Sequence, residues 1–183
     1  MAEKYWREII ERKWIVEFDR KPYDKHKLSG FVLDVNDDFT LIHQFDRDWI
    51  ATDGYCVFRN ESVRKFWVHD KEEYYLNEVV KLKKIEPRPV PEISIESWPS
   101  VLRTVSDNYP LIVIESELIY KNQCNIGILR KLGKKKFSLL EIDPTAVWYD
   151  SPIGYKLKDL TMVGFDGAYE NTLWEISESR KSK

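Results

Sequence analysis

Apolar and polar residues alternate along this chain in short runs, and only four stretches change to the three-to-four spacing of a helix. In the first half, residues 14–18, 28–35, 39–45, 55–58 and 62–67 are rich in β-branched and aromatic side chains and are separated by turn formers. That pattern predicts five short strands. Pro22 interrupts the chain after the first strand, and Asn36-Asp37-Asp38 marks a tight turn between the second and third, because short polar side chains bond their own backbone. Helical stripes flank the set. Residues 3–12 offer Tyr5, Ile9 and Ile10 to one side, and residues 71–84 space Tyr75, Val79 and Leu82 by four and three. The second half repeats the order: a helix from Ser97-Trp98-Pro99 to Asp107, strands at 111–115, 125–132, 137–142, 155–158 and 161–165, and a helix at about 168–178 before a basic tail.

The repetition extends to individual residues. Gly30 and Gly127 lie 97 positions apart, and the same step carries Ile15 to Ile112, Val16 to Val113 and Tyr23 to Tyr120. Aligning like side chains then requires one inserted residue to bring Phe39 onto Phe137 and Leu41 onto Leu139. Further small insertions match Trp49 with Trp148, Gly54-Tyr55 with Gly154-Tyr155, and Val63 with Val163, while Tyr75, Val79 and Leu82 fall on Tyr169, Leu173 and Ile176. Internal duplication follows. Pro87, Pro89 and Pro91 end the first copy in a stiff extended segment, which places a first unit at 1–86, a linker at 87–97 and a second unit at 98–183. The expected fold class is α+β, mainly β with short helices: two tandem five-stranded small barrels, each preceded and followed by a short helix.

Composition narrows the function classes. A content of 43% hydrophobic and 14% aromatic residues can fill a core in each half of 183 residues, and a formal net charge of -2 supplies no global field toward nucleic acid or an anionic membrane. Any polyanion must therefore meet a local patch. No stretch approaches the roughly 18 uncharged residues of a membrane span, so a soluble, cytoplasmic protein without membrane contact is expected. Cys56 and Cys124 are too few and too isolated for a disulfide framework or paired-cysteine chemistry.

The first hairpin of unit 1 reads Gly30-x-Val32, then Asn36, then Phe39-Thr40-Leu41, and Phe58-Arg59-Asn60-Glu61-Ser62-Val63 follows. These two motifs, over roughly 50 residues in each half, resemble those of the Sm-like branch of the SH3-like barrels. The run from Ile126-Gly127 to Tyr155-Lys156-Leu157-Lys158-Asp159-Leu160-Thr161-Met162-Val163-Gly164-Phe165 is similar to a group of bacterial tandem-repeat proteins with no assigned function. The Sm-like resemblance implies a base-binding pocket in which Phe39 stacks, Thr40 reads a base edge and Arg59 closes the other face. This sequence departs from the pattern at Asn36, at Thr40 and at Asn60, where aspartate, asparagine and glycine are usual, so the hydrogen-bonding part of such a pocket is weakened. In the second unit the resemblance puts Phe137-Ser138 at that place, after a turn read as one residue longer.

Other chemistry is thinly represented. Asp34-x-Asn36-x-Asp38 copies the start of a calcium loop but continues with Phe39 and Phe45 where a glycine and a bidentate glutamate are needed. His26, His43 and His69 lack metal-ligand spacing, and no nucleophile sits in a recognisable elbow, so no metal, no cofactor and no enzyme activity is expected. One charge contrast stands out. Asp34, Asp37 and Asp38 make the first hairpin tip acidic, whereas Arg130, Lys131, Lys134, Lys135 and Lys136 make the second basic. Solvated turns that keep sheet edges from pairing explain this, and a contact of the basic tip with phosphate or an acidic partner is the sharper reading. Two functions are consistent with these residues. The first is a non-catalytic protein-interaction module, an immunity-type or regulatory adaptor, with homo-oligomerisation through barrel edges as a further expectation. The second is RNA or single-stranded DNA binding through Phe39, Thr40, Arg59 and Phe137 beside Lys134, Lys135 and Lys136.

Overall fold

The structure is a computed structural model that describes residues 2–71, 74–90, 92–121 and 123–181. Two compact units divide the chain, Met1–Val90 and Pro91–Lys183. The first runs α1 (Ala2–Arg12), β1 (Ile15–Asp19), β2 (Lys27–Val35), β3 (Phe39–Asp46), β4 (Ala51–Arg59), a 3-10 turn (Asn60–Ser62), β5 (Lys65–Val68) and α2 (Tyr75–Lys83). The second runs α3 (Trp98–Asn108), β6 (Ile112–Glu115), β7 (Cys124–Leu132), β8 (Lys136–Glu141), β9 (Ile153–Lys156), a 3-10 turn (Leu157–Asp159), β10 (Met162–Phe165) and α4 (Ala168–Lys181). The fold is α+β and mainly β with short helices. Strand order is β5-β1-β2-β3-β4 in the first unit and β10-β6-β7-β8-β9 in the second, antiparallel at each pairing. Among the described residues no ladder joins β4 back to β5, or β9 back to β10. Each sheet is thus open in its hydrogen bonding, where closed barrels were expected.

Several boundaries differ from the periodicity. β4 starts at Ala51, not Tyr55, because Ala51 and Thr52 pair with Asp46 and Phe45, although Ala-Thr-Asp-Gly has no strand character of its own. Residues 62 and 157–158, read as strand, lie instead in the two 3-10 turns. The first residues of the helix expected at 71–84 include 72–73, outside the described residues, as are Pro91 in the linker and 182–183 in the tail.

Ladder register gives the relation between the two units directly. Gly30 pairs with Gln44 and Gly127 with Glu141, the bulge falls between Val32 and Asp34 and between Leu129 and Lys131, and Asp34 meets Leu41 as Lys131 meets Ser138. All of these are 97 residues apart. The step persists through the 3-10 turns and into β5 and β10. The bridge of Ile142 to Trp148 deviates by one from that of Phe45 to Thr52, and so do β1 and β6, since Arg64 N–H donates to the Asp19 carbonyl at 2.8 Å and Thr161 N–H to that of Glu115 at 2.9 Å. The inserted residue therefore lies between β6 and β7. The hairpin tips are of equal length, closed by Asn36 N–H to the Phe39 carbonyl and by Gly133 N–H to the Lys136 carbonyl. This corrects the gapped alignment. Lys136 stands where Phe39 stands, Phe137 where Thr40 stands, and Lys156 where Arg59 stands. Trp49 is 82% exposed, whereas Trp148 packs beside Leu173 and Trp174, so those tryptophans are not equivalent either.

Each unit builds its own core from corresponding elements. In the first, Ile15, Phe31 and Phe45 pack with Leu76 of α2. The second sets Leu111, Ile126 and Ile142 against Leu173 of α4, with Val101, Leu102 and Val105 of α3 fully buried as well. Ser97 caps α3 by accepting from Ser100 N–H, with Pro99 in the first turn.

Candidate functional site

The candidate site begins at the β7–β8 tip. Gly133 turns the chain, Lys134, Lys135 and Lys136 follow it exposed, and β9 with its 3-10 turn brings Lys156 and Lys158 alongside. Leu157 anchors that turn. Its side chain is buried and its N–H donates to the Lys135 carbonyl at 3.0 Å, which fixes the tip against the turn. The result is a cleft of about 450 Å³ lined by Lys134, Lys135, Lys136, Lys156, Leu157 and Lys158. Lys136 and Lys156 are direct partners across the β8–β9 ladder, a placement in which like charges destabilise a sheet. Among the described residues no carboxylate forms an ion pair with any of the five lysines. Among the described residues β9 pairs with β8 alone, so its outer backbone edge lies beside the cleft.

The same backbone device in unit 1 carries different chemistry. Asn60 N–H donates to the Asp38 carbonyl at 2.8 Å, and the Asn60 side chain donates to the Asn36 and Asp37 carbonyls at 2.7 and 3.1 Å while accepting from the Thr40 hydroxyl at 2.6 Å. Thr40 and Asn60 thus spend their polar groups on the tip. Phe39 is 5% exposed, with the Arg59 guanidinium 5.8 Å from its ring centre and Arg59 Nη1 3.4 Å from Glu61 Oε1. The structure does bring Phe39, Thr40 and Arg59 together. Neither aromatic face is open, however: Phe137 is 3% exposed and stacks on Tyr155 at 5.5 Å. Phe137 and the tip lysines are neighbours in unit 2, but the ring points into the core and the lysines out of it.

Two polar clusters were not visible in the sequence. Glu17, nearly buried on β1, accepts from Lys27 Nζ at 3.2 Å and lies 3.1 Å from Arg47 Nη1 and 2.7 Å from His69 Nε2. Burial alone would raise its pKa, but the bonds from His69 and Lys27 and the charge of Arg47 outweigh it and hold the carboxyl below the ordinary range. In unit 2, Glu141 accepts from the Tyr155 hydroxyl and from Asn125 Nδ2, and burial together with that carboxylate pushes the Tyr155 phenol well up. Both clusters are internally satisfied and have no open coordination. Asp34, Asn36 and Asp38 do not converge as calcium ligands, since Asn36 Oδ1 accepts from the Asp38 and Phe39 N–H groups and Asp34 Oδ1 from that of Val35. Among the described residues no group of three or more metal-ligating side chains occurs, and no helix is long and apolar enough to cross a membrane.

The geometry can hold an anionic segment by charge, and by backbone pairing along β9, but it presents no stacking platform. Comparison of the chain with protein-family models, with curated proteins and with solved structures found no match.

Proposed function

We propose that this protein is a non-catalytic interaction module, an adaptor whose second unit captures an acidic segment of a protein partner in the five-lysine cleft. The observation that carries the reading is the Lys136–Lys156 ladder pair within a cleft lined by five lysines and, among the described residues, no carboxylate. A sheet that keeps two like charges face to face is less stable than one that does not, and a bound anion removes that penalty. The outer edge of β9 adds backbone donors and acceptors for an extended partner. Each unit is in this reading a tandem Sm-like barrel, a likeness supported by the strand order, the glycine at the bulged second strand and the 3-10 turn before the last strand.

Nucleic acid is the second reading, since the cleft occupies in unit 2 the position that the resemblance gives to the base pocket in unit 1. Closed aromatic faces disfavour it, because single-strand recognition draws about 1–3 kcal/mol per base from stacking. Fluorescence anisotropy with an oligo-glutamate peptide, oligo-U and oligo-A separates the two. The peptide is expected to bind at low salt, to weaken steeply as salt is raised, and to be lost in K134E/K135E/K136E. Tighter binding of either oligonucleotide, sensitive to Phe39 or Phe137 substitution, would transfer the function to nucleic acid.

A further inference from the structure

The 97-residue correspondence allows the two tips to be compared position by position. Asp34, Asp37, Asp38 and Glu61 of unit 1 stand where Lys131, Lys134, Lys135 and Lys158 stand in unit 2, and all eight are exposed. Charge is inverted at each of these four positions. The acidic tip also borders a concave surface. A groove of about 690 Å³ lies between α1 and the β2–β3 tip, lined by the apolar Trp6, Ile10 and Val35 and by the carboxylates of Glu3, Glu11 and Asp37. Arg7, the one basic residue lining it, is engaged by Glu3 at 3.1 Å. Glu11 and Asp37 enter no ion pair among the described residues. The groove therefore has the complement of what the basic tip offers, namely apolar walls for lysine stems and carboxylates for their ammonium groups.

We infer that the basic β7–β8 tip of one copy docks into the acidic groove beside α1 of a second copy, so that the chain associates head to tail with itself. The inference rests on the proposed function and names its acidic partner. The contact joins two different surfaces, so it propagates to longer species or closes into a ring. Exposed ion pairs contribute little each and are screened by salt, so the association is weak and confined to low ionic strength.

Sedimentation equilibrium of the full chain tests this. At low salt the weight-average mass is expected to rise at least twofold with concentration, and to return to the monomer value at high salt. E11K/D37K and K134E/K135E/K136E are each expected to stay monomeric, with E11Q/D37N as a milder pair should the first lose its circular dichroism spectrum. In an equimolar mixture of the two charge-reversed variants each basic tip meets an acidic groove and each acidic tip meets a groove made basic, so association should return with the two variants alternating. The chain carrying all five reversals should associate again. A wild-type chain that stays monomeric at every concentration, or that associates equally in both variants, overturns the inference. If oligo-glutamate still binds wild type and E11K/D37K but not the lysine variant, the proposed function stands without it; if that binding also fails, both fall.

Discussion

At the scale of single residues, Gly30 and Gly127 show how strictly a backbone position can select its side chain. A Cβ on Gly30 would stand 2.4 Å from the His43 carbonyl oxygen, and one on Gly127 would stand 2.3 Å from that of Leu140. Both obstacles are ladder backbone and cannot rotate away. Gly30→Ala and Gly127→Ala are each expected to reach or exceed the upper end of the roughly 1–3 kcal/mol that overpacking costs. Gly154→Ala, with nothing within 4 Å of the new carbon, should leave the denaturation midpoint nearly unchanged. Urea unfolding of the three variants checks the contrast. Glu17 illustrates the other kind of residue. Its carboxyl is held low by His69, Lys27 and Arg47 against the opposing effect of burial, so its folded pKa lies below its unfolded one. The stabilisation is therefore complete above the unfolded value of about 4.3 and is lost as pH falls through the folded value. Glu17→Gln should remove that part of the acid limb in a stability–pH profile below about pH 4.3, and an unchanged limb would show that the cluster contributes nothing. The glycines were legible in the sequence because they recur. The Glu17 cluster was not, because its partners lie 10, 30 and 52 residues away and meet only once β1 pairs with β2 and β5.

At the scale of elements, the backbone obeys a simpler rule than the side chains suggested. Phe39 with Phe137, Trp49 with Trp148 and Tyr55 with Tyr155 looked like repeats separated by insertions, yet the ladders keep one step and pair Phe39 with Arg59 as Lys136 with Lys156. Similar side chains had drifted in position while bulge, tip and 3-10 turn stayed in register. Strand-by-strand order was readable from alternation and turn residues, whereas β4 was cut short because its first residues owe their extended form to β3 and not to their own propensity. The join between tip and turn is also a tertiary feature. In unit 1 it carries the backbone bond from Asn60 to Asp38 and two further side-chain bonds, and in unit 2 the backbone bond from Leu157 with a buried leucine. Asn60→Ala deletes the two side-chain donors and strips Thr40 of its partner, for a loss of about 1–2 kcal/mol. Amide exchange should accelerate at Asp38 and Phe39 while the β2–β3 ladder beyond the bulge keeps its protection.

At the scale of the whole molecule, charge is balanced in bulk and polarised in detail. Residues 1–90 hold 17 lysines and arginines against 18 aspartates and glutamates, and residues 91–183 hold 12 against 13, so neither unit is a net cation. The lysine run at 134–136 could be read from the sequence, but Lys156 and Lys158 join it only through the ladder and the turn, which is why the cleft exceeds the motif. Because the field is local, it reaches about 8 Å at physiological ionic strength, and binding must depend on direct contact. Stability and binding then make opposite demands on one residue. Lys156→Glu would face Lys136 with an opposite charge and is expected to raise stability by roughly 0.2–1 kcal/mol. The same change inverts one of five charges in the cleft, and should weaken oligo-glutamate binding by about tenfold at low salt, equivalent to about 1.4 kcal/mol. Lys156→Arg, which keeps the like-charge pair, should change neither quantity appreciably. A chain in which Lys156→Glu gained stability and kept its affinity would show the cleft to be a solvated edge, whereas the paired gain and loss would show that the lysine is held there for binding at the expense of the fold.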